Sequence, residues 1–161
     1  MEKIPITKAG FEKLKKELEH LRMVAVPENI RDIEEARSHG DLTENAEYTA
    51  AKERQSYLHG RLQEVENNLA LANVIDLKNV TGDKAVFGAS VAIEDVKTAK
   101  EITYQLVGPL ESDLAENKIS VTSPIGRALI GKSIGDQVRV QTPGGVRELE
   151  IIDIFVEDRQ A

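Results

Sequence analysis

Two apolar series, one near the start of the chain and one beyond residue 45, mirror each other and constrain the fold more than any other feature. In the first, Phe11, Leu14, Leu18, Leu21 and Ala25 step by threes and fours. In the second, Tyr48, Ala51, Leu58, Leu62, Val65, Leu69 and Ala72 do the same, with Gln55 at the one polar seam position. Such spacing gathers each series into one stripe of an α-helix, and a stripe that narrow is covered by another helix. Pairing Leu21 with Leu62, Leu18 with Val65, Leu14 with Leu69 and Phe11 with Ala72 gives residue numbers that sum to 83 each time. A constant sum is what two antiparallel helices require. The sequence thus predicts a helical hairpin, the first helix running from Thr7 as N-cap to about Ser38 and the second from about Leu42 to Val74. Some 30 residues per helix at ~1.5 Å each give an arm of roughly 45 Å.

Pro27 falls inside the first helix. It has no N–H to donate and crowds the preceding turn, so a kink or register adjustment is expected there. Apolar positions resume in a shifted phase at Ile30, Ile33 and Ala36. The seam is leucine-rich at one end and thins to alanine and tyrosine toward the reversal at Gly40. A slender tip, His39 to Tyr48 (HGDLTENAEY), follows from that thinning.

After IDLKNV the period changes to two. ASVAIEDV and EITYQLVG alternate as strands, and QVRVQT and VRELEIIDIFV flank a turn at Pro143-Gly144-Gly145. Between them lies SPIGRALIGK, with Ser123 as N-cap, Pro124 as first helical residue and Gly131 as stop. The fold class is therefore α+β: an N-terminal antiparallel two-helix coiled coil over residues 1–76, then a small domain over 80–161 with an antiparallel sheet and one short helix.

Composition excludes several functions. The chain has no cysteine, hence no disulfide and no cysteine-ligated zinc, and its three histidines do not suggest an all-protein transition-metal cage. A net charge of −7 opposes wholesale coating of nucleic acid. No run of about 18 apolar residues exists to span a membrane, and MEKIPITKAG has no apolar signal core. A soluble cytoplasmic protein is expected.

Within the tip, Asp41 and Glu44 stand three residues apart where the chain reverses. Asp-x-x-Glu at a helix start matches a capping box, and carboxylates there suit the helix dipole. The same pair can offer oxygen ligands to a hard cation, though not a full shell. Magnesium usually takes one or two carboxylates and completes its coordination with water, phosphate or other acids. Both readings stand on spacing alone.

The motifs resemble a known family. EARSHGDLTENAEYTAAKERQ is similar to the coiled-coil tip of the bacterial Gre transcript-cleavage factors, most closely the GreA type. SPIGRALIGKSIGDQVRVQTPGG is similar to the signature of their C-terminal domain, and TKAGFEKLKKELEHL to their opening helix. The likeness covers essentially the whole chain in order and spacing. It implies an FKBP-like second domain and an elongation factor that inserts its arm through the secondary channel of RNA polymerase. By that likeness Asp41 and Glu44 help hold a Mg²⁺ shared with the polymerase's own aspartates, in the complex only. The polymerase then cleaves backtracked nascent RNA near its 3′ end, so that this chain activates an enzyme rather than being one. Arg37 and Lys52 match the family's basic patch toward RNA; a solvated helix face explains them equally well. Thr122, Ser123, Pro124 and Ile125 match the loop that grips the polymerase, and a well-formed helix start explains them too. The chain is expected to act as a monomer with no membrane partner. A non-cleaving channel inhibitor is the rival reading, and a prolyl isomerase, which needs an aromatic-walled pocket, a remoter one.

Overall fold

The computed structural model describes residues 2–40, 45–77 and 82–156. In chain order the elements are β1 (Ile4–Ile6), α1 (Lys8–His20), a π-helical turn (Leu21–Ala25), α2 (Val26–Arg37), α3 (Ala46–Leu71), β2 (Ala72–Val74), β3 (Ser90–Asp95), β4 (Glu101–Val107), β5 (Lys118–Ser120), α4 (Pro124–Leu129), β6 (Gln137–Thr142) and β7 (Gly145–Phe155). A single 3₁₀ turn, Leu114–Glu116, precedes β5. Contacts divide the chain into two compact units, residues 12–71 and residues 1–11 together with 72–161.

The helical unit is the hairpin. Leu14, Leu21, Ala25, Ile33 and Ala36 on the first helix are buried, as are Ala51, Leu58 and Val65 on α3. Ion pairs cross between the helices, among them Arg22 to Glu66 at 2.5 Å and Arg61 to Glu17 at 2.6 Å. The numbers of these two bracket the expected sum symmetrically. The adjustment expected near Pro27 is the π-turn, closed by Val26 N–H donating to the Leu21 carbonyl. One residue of extra winding just ahead of the proline changes which side chains face the partner helix. Asn29 is therefore buried at 2% exposure and Ile30, placed on the seam from its spacing, is 47% exposed. Asn29 is satisfied by donating its side-chain amide to the Ala51 carbonyl at 2.9 Å.

Two boundaries differ from the sequence reading. The second helix starts at Ala46 rather than near Leu42, and it stops at Leu71. Ala72, read as the last seam residue opposite Phe11, instead pairs with Ile4 in a parallel two-strand ladder, β1 against β2. Ile6 in that ladder is fully buried.

The other unit carries a five-stranded sheet of order β5-β4-β3-β7-β6. It is antiparallel except at one edge, where β5 runs parallel to β4. Val91, Ile93, Leu106, Leu149 and Ile151 line its core with Leu129 of α4, all fully buried. Strict alternation along β7 would turn Asp153 inward after Leu149 and Ile151. A bulge prevents it: Ala92 pairs with Asp153 but Ile93 with Ile151, so the extra residue flips the phase and Ile154 goes in. Pro143 and Gly144 make the turn between β6 and β7, with Thr142 paired to Gly145. Gly145 sits at φ +119°, a conformation a side chain would strain.

The first turn of α1 is fastened within this unit. Thr7 caps it as expected, its hydroxyl accepting from Gly10 N–H at 3.1 Å. The Glu111 carboxylate accepts from Thr7 N–H at 2.9 Å, from the Thr7 hydroxyl, and from Gly108 N–H at 2.9 Å. A β-carbon on Gly10 would overlap that carboxylate, and one on Gly108 would overlap the Pro5 carbonyl.

Candidate functional site

Asp41 and Glu44 lie outside the described residues; the chain on both sides of them is defined. On the entering side α2 ends at Arg37, and Ser38, His39 and Gly40 close its last turn by donating to the carbonyls of Glu34 to Arg37. Gly40 has φ +101° and exits in a conformation that favours glycine. On the leaving side Asn45 is the N-cap of α3, its side-chain oxygen accepting from Tyr48 N–H at 3.0 Å. A capping box by the two acids would need Asp41 as cap and Glu44 as third helical residue. With the helix beginning at Ala46 and Asn45 in the capping position, that structural duty is already filled.

Asn45 does a second thing. Its side-chain nitrogen donates to the Ala36 carbonyl at 2.7 Å, across to the other helix. That carbonyl belongs to the last turn of α2, where four acceptors lack partners within the helix. One half-buried side chain thus reaches an end carbonyl of the arriving helix, which also accepts from His39 N–H at 3.2 Å, and serves a free donor of the departing one. Beside it, His39 meets Glu47 at 3.2 Å, with both side chains largely in solvent.

Arg37 and Lys52 are both exposed, on facing helices: Arg37 as the last residue of α2, Lys52 in the second turn of α3. Arg37 also suits the negative end of its helix dipole. Lys52 donates to the Gln55 side chain at 2.8 Å.

The four residues matched to polymerase contact divide into two pairs. Thr122 and Pro124 are exposed. Ser123 is spent internally, accepting from Gly126 N–H at 3.1 Å as cap of α4 and donating to the Ser120 carbonyl at 2.7 Å. Ile125 packs against the sheet core. The presented chemistry is therefore a threonine and a proline on a stiff loop, further pinned by the 2.7 Å contact between the Ser120 and Thr122 hydroxyls.

An open groove of about 510 Å³ in the same unit has apolar walls that include Pro5, Ile75, Val86, Phe87, Val121 and Ile130. Phe87 is its one aromatic side among the described residues, while Tyr104 packs against the core. One ring makes no aromatic cage for proline. Among the described residues no group of three or more His, Asp or Glu could hold a metal ion, and no helix is long and apolar enough to cross a membrane. Sequence reasoning missed Asn45 and Asn29. Asparagine before a helical run is a cap signal that pointed to the first; nothing local marked the second.

Known proteins match over nearly the whole chain. Residues 4–74 match the family model "Transcription elongation factor, N-terminal", and residues 80–155 match "Transcription elongation factor, GreA/GreB, C-term". A protein of Syntrophus aciditrophicus named transcription elongation factor GreA is 70% identical over 97% of each chain. One of the same name from Neisseria meningitidis is 54% identical over 96% of this chain and 98% of that one. Among solved structures, Gfh1 of Thermus aquaticus matches at 31% identity over 96% of this chain and 99% of its own. Its TM-score of 0.44 is too low for that superposition to bear on the site.

Proposed function

The chain belongs to the GreA/GreB family of transcription elongation factors, and from that footing we propose that it rescues backtracked RNA polymerase by stimulating cleavage of the nascent transcript. It enters the polymerase's secondary channel tip first and lends Asp41 and Glu44 to a Mg²⁺ that the polymerase's aspartates also hold. The donor set fits that ion, since carboxylate oxygens are what magnesium takes and two of them leave room for other ligands. When bound, the ion supplies the charge that lowers the pKa of a water nucleophile and steadies the leaving oxygen. This chain's own residues carry the rest. Arg37 and Lys52 offset phosphate charge on the extruded RNA, and Thr122 and Pro124 meet the polymerase at the channel rim. Ser123 and Ile125 hold that loop in shape. The reaction centre exists only in the complex, in the cytoplasm where RNA is made, and this chain turns over nothing by itself.

One observation carries the reading: Asn45 caps α3, so the two acids are not needed there to start the helix. Halted polymerase complexes with Mg²⁺ test it. Addition of this protein should shorten the RNA from its 3′ end, and Asp41→Ala or Glu44→Ala should abolish the shortening while polymerase binding persists. Binding without shortening by the unaltered protein would assign it to the non-cleaving channel inhibitors.

A further inference from the structure

Asn45 bonds in two directions, and only one of them is needed to start a helix. Serine or aspartate would accept from Tyr48 N–H equally well. The second bond, from the side-chain nitrogen to the Ala36 carbonyl at 2.7 Å, ties the end of α2 to the start of α3. The chain between those points carries Asp41 and Glu44. Serine has no donor that reaches so far. The neighbouring His39–Glu47 contact also crosses the reversal, but both groups are more than half exposed, so it constrains little. The amide of Asn45 is the firmer tie.

We propose that Asn45 is a positioning residue for the cleavage reaction, fixing the separation of the two helix ends so that both tip carboxylates reach one ion together. This inference rests on the functional reading above. Groups that must meet a shared metal tolerate little displacement, and an error on the order of 1 Å can cost as much as 100-fold in rate. The side chain need touch neither RNA nor ion to have that effect.

The test compares Asn45→Ser, which keeps the cap and loses the tie, with Asn45→Ala, which loses both. Each is assayed for 3′ shortening of RNA in halted complexes across a Mg²⁺ titration, for polymerase affinity, and for its melting midpoint. The expected result is that both variants cleave about ten-fold more slowly and need more Mg²⁺ to reach half-maximal rate. Only Asn45→Ala should melt measurably lower, and polymerase affinity should hold for both. If Asn45→Ser cleaves at the wild-type rate with the wild-type Mg²⁺ midpoint, the residue is a helix cap and nothing more, and the proposal is overturned. A rate loss with an unmoved Mg²⁺ midpoint overturns it as well. Asp41→Asn and Glu44→Gln run alongside: if they cleave normally it is the shared-ion reading that falls, whereas their failure beside a normal Asn45→Ser removes this inference alone.

Discussion

Arg61 shows how one side chain holds two helices at a known register. Its guanidinium donates Nε and Nη2 to the two oxygens of Glu17, each at 2.6 Å, and Nη1 to Glu64 at 2.5 Å. The hydrogen bond from Arg61 holds the Glu17 carboxyl below its ordinary value, against a smaller opposing effect of burial. Both side chains remain about a third exposed, at 30% and 35%, so water screens the pair and its worth is at most about 1 kcal/mol. A carboxyl depressed in the folded state contributes in full above its unfolded value, near ~4.3, and loses that contribution as pH falls through the lower folded value. Glu17→Gln should therefore melt a few degrees below wild type at pH 7, and the gap should close as pH falls below the carboxyl's unfolded value and through its lowered folded one. Thermal melts of the helical circular dichroism signal at several pH values check this; a gap that does not change with pH would assign the effect to packing. Asn29 is the contrasting case, a polar seam residue made tolerable by one bond to the Ala51 carbonyl.

At the scale of elements, the first turn of α1 is shaped by a residue a hundred positions away. Gly10 in a helix costs up to about 1 kcal/mol relative to alanine, yet a β-carbon there would overlap the Glu111 carboxylate. Gly10→Ala should destabilise the protein by about 2 kcal/mol, because the carboxylate must leave the donors of Thr7 and Gly108. In a Glu111→Ala background the same change should turn neutral or stabilising. A double-mutant cycle by denaturant unfolding measures that reversal of sign, and simple additivity would disprove the coupling. Such long-range ties explain what was legible beforehand. Thr7, Ser123-Pro124 and Gly131 mark element ends with their own side-chain chemistry or backbone freedom, and each stands where it was expected. The ladder of Ile4–Ile6 with Ala72–Val74 was invisible, because three residues carry no period and Ala72 happens to continue a helical one. Ile30 was misplaced because the π-turn shifts the phase, a consequence of Pro27 whose direction spacing alone does not fix. At the tip the acids and cations could be named from motif, but Asn45's second bond could not, since its acceptor is a carbonyl of the other helix.

For the whole molecule, the division of contacts matters more than the order of motifs. Residues 1–11 pack with 72–161, so a C-terminal fragment beginning at residue 80 lacks the buried Ile6 and the Thr7 partner of Glu111. Burying an isoleucine is worth about 2 kcal/mol, and hydrogen bonds to a carboxylate add roughly 2 more. At about 4–8 °C per kcal/mol for a domain of this size, fragment 80–161 should melt roughly 20 °C below the same sheet in the full chain. A variant in which a short glycine-serine linker replaces residues 12–71 keeps every contact just named and should melt within a few degrees of it. The linker variant also separates docking from chemistry. It retains Thr122 and Pro124 on their loop but has no tip, so it should compete with the full chain for polymerase while producing no RNA shortening. Scanning calorimetry decides the first point and competition in the halted-complex assay the second. If fragment 80–161 melts as high as the linker variant, the N-terminal strand is dispensable to the sheet unit. If the linker variant fails to compete, the polymerase is gripped through residues 12–71 rather than through the loop at α4.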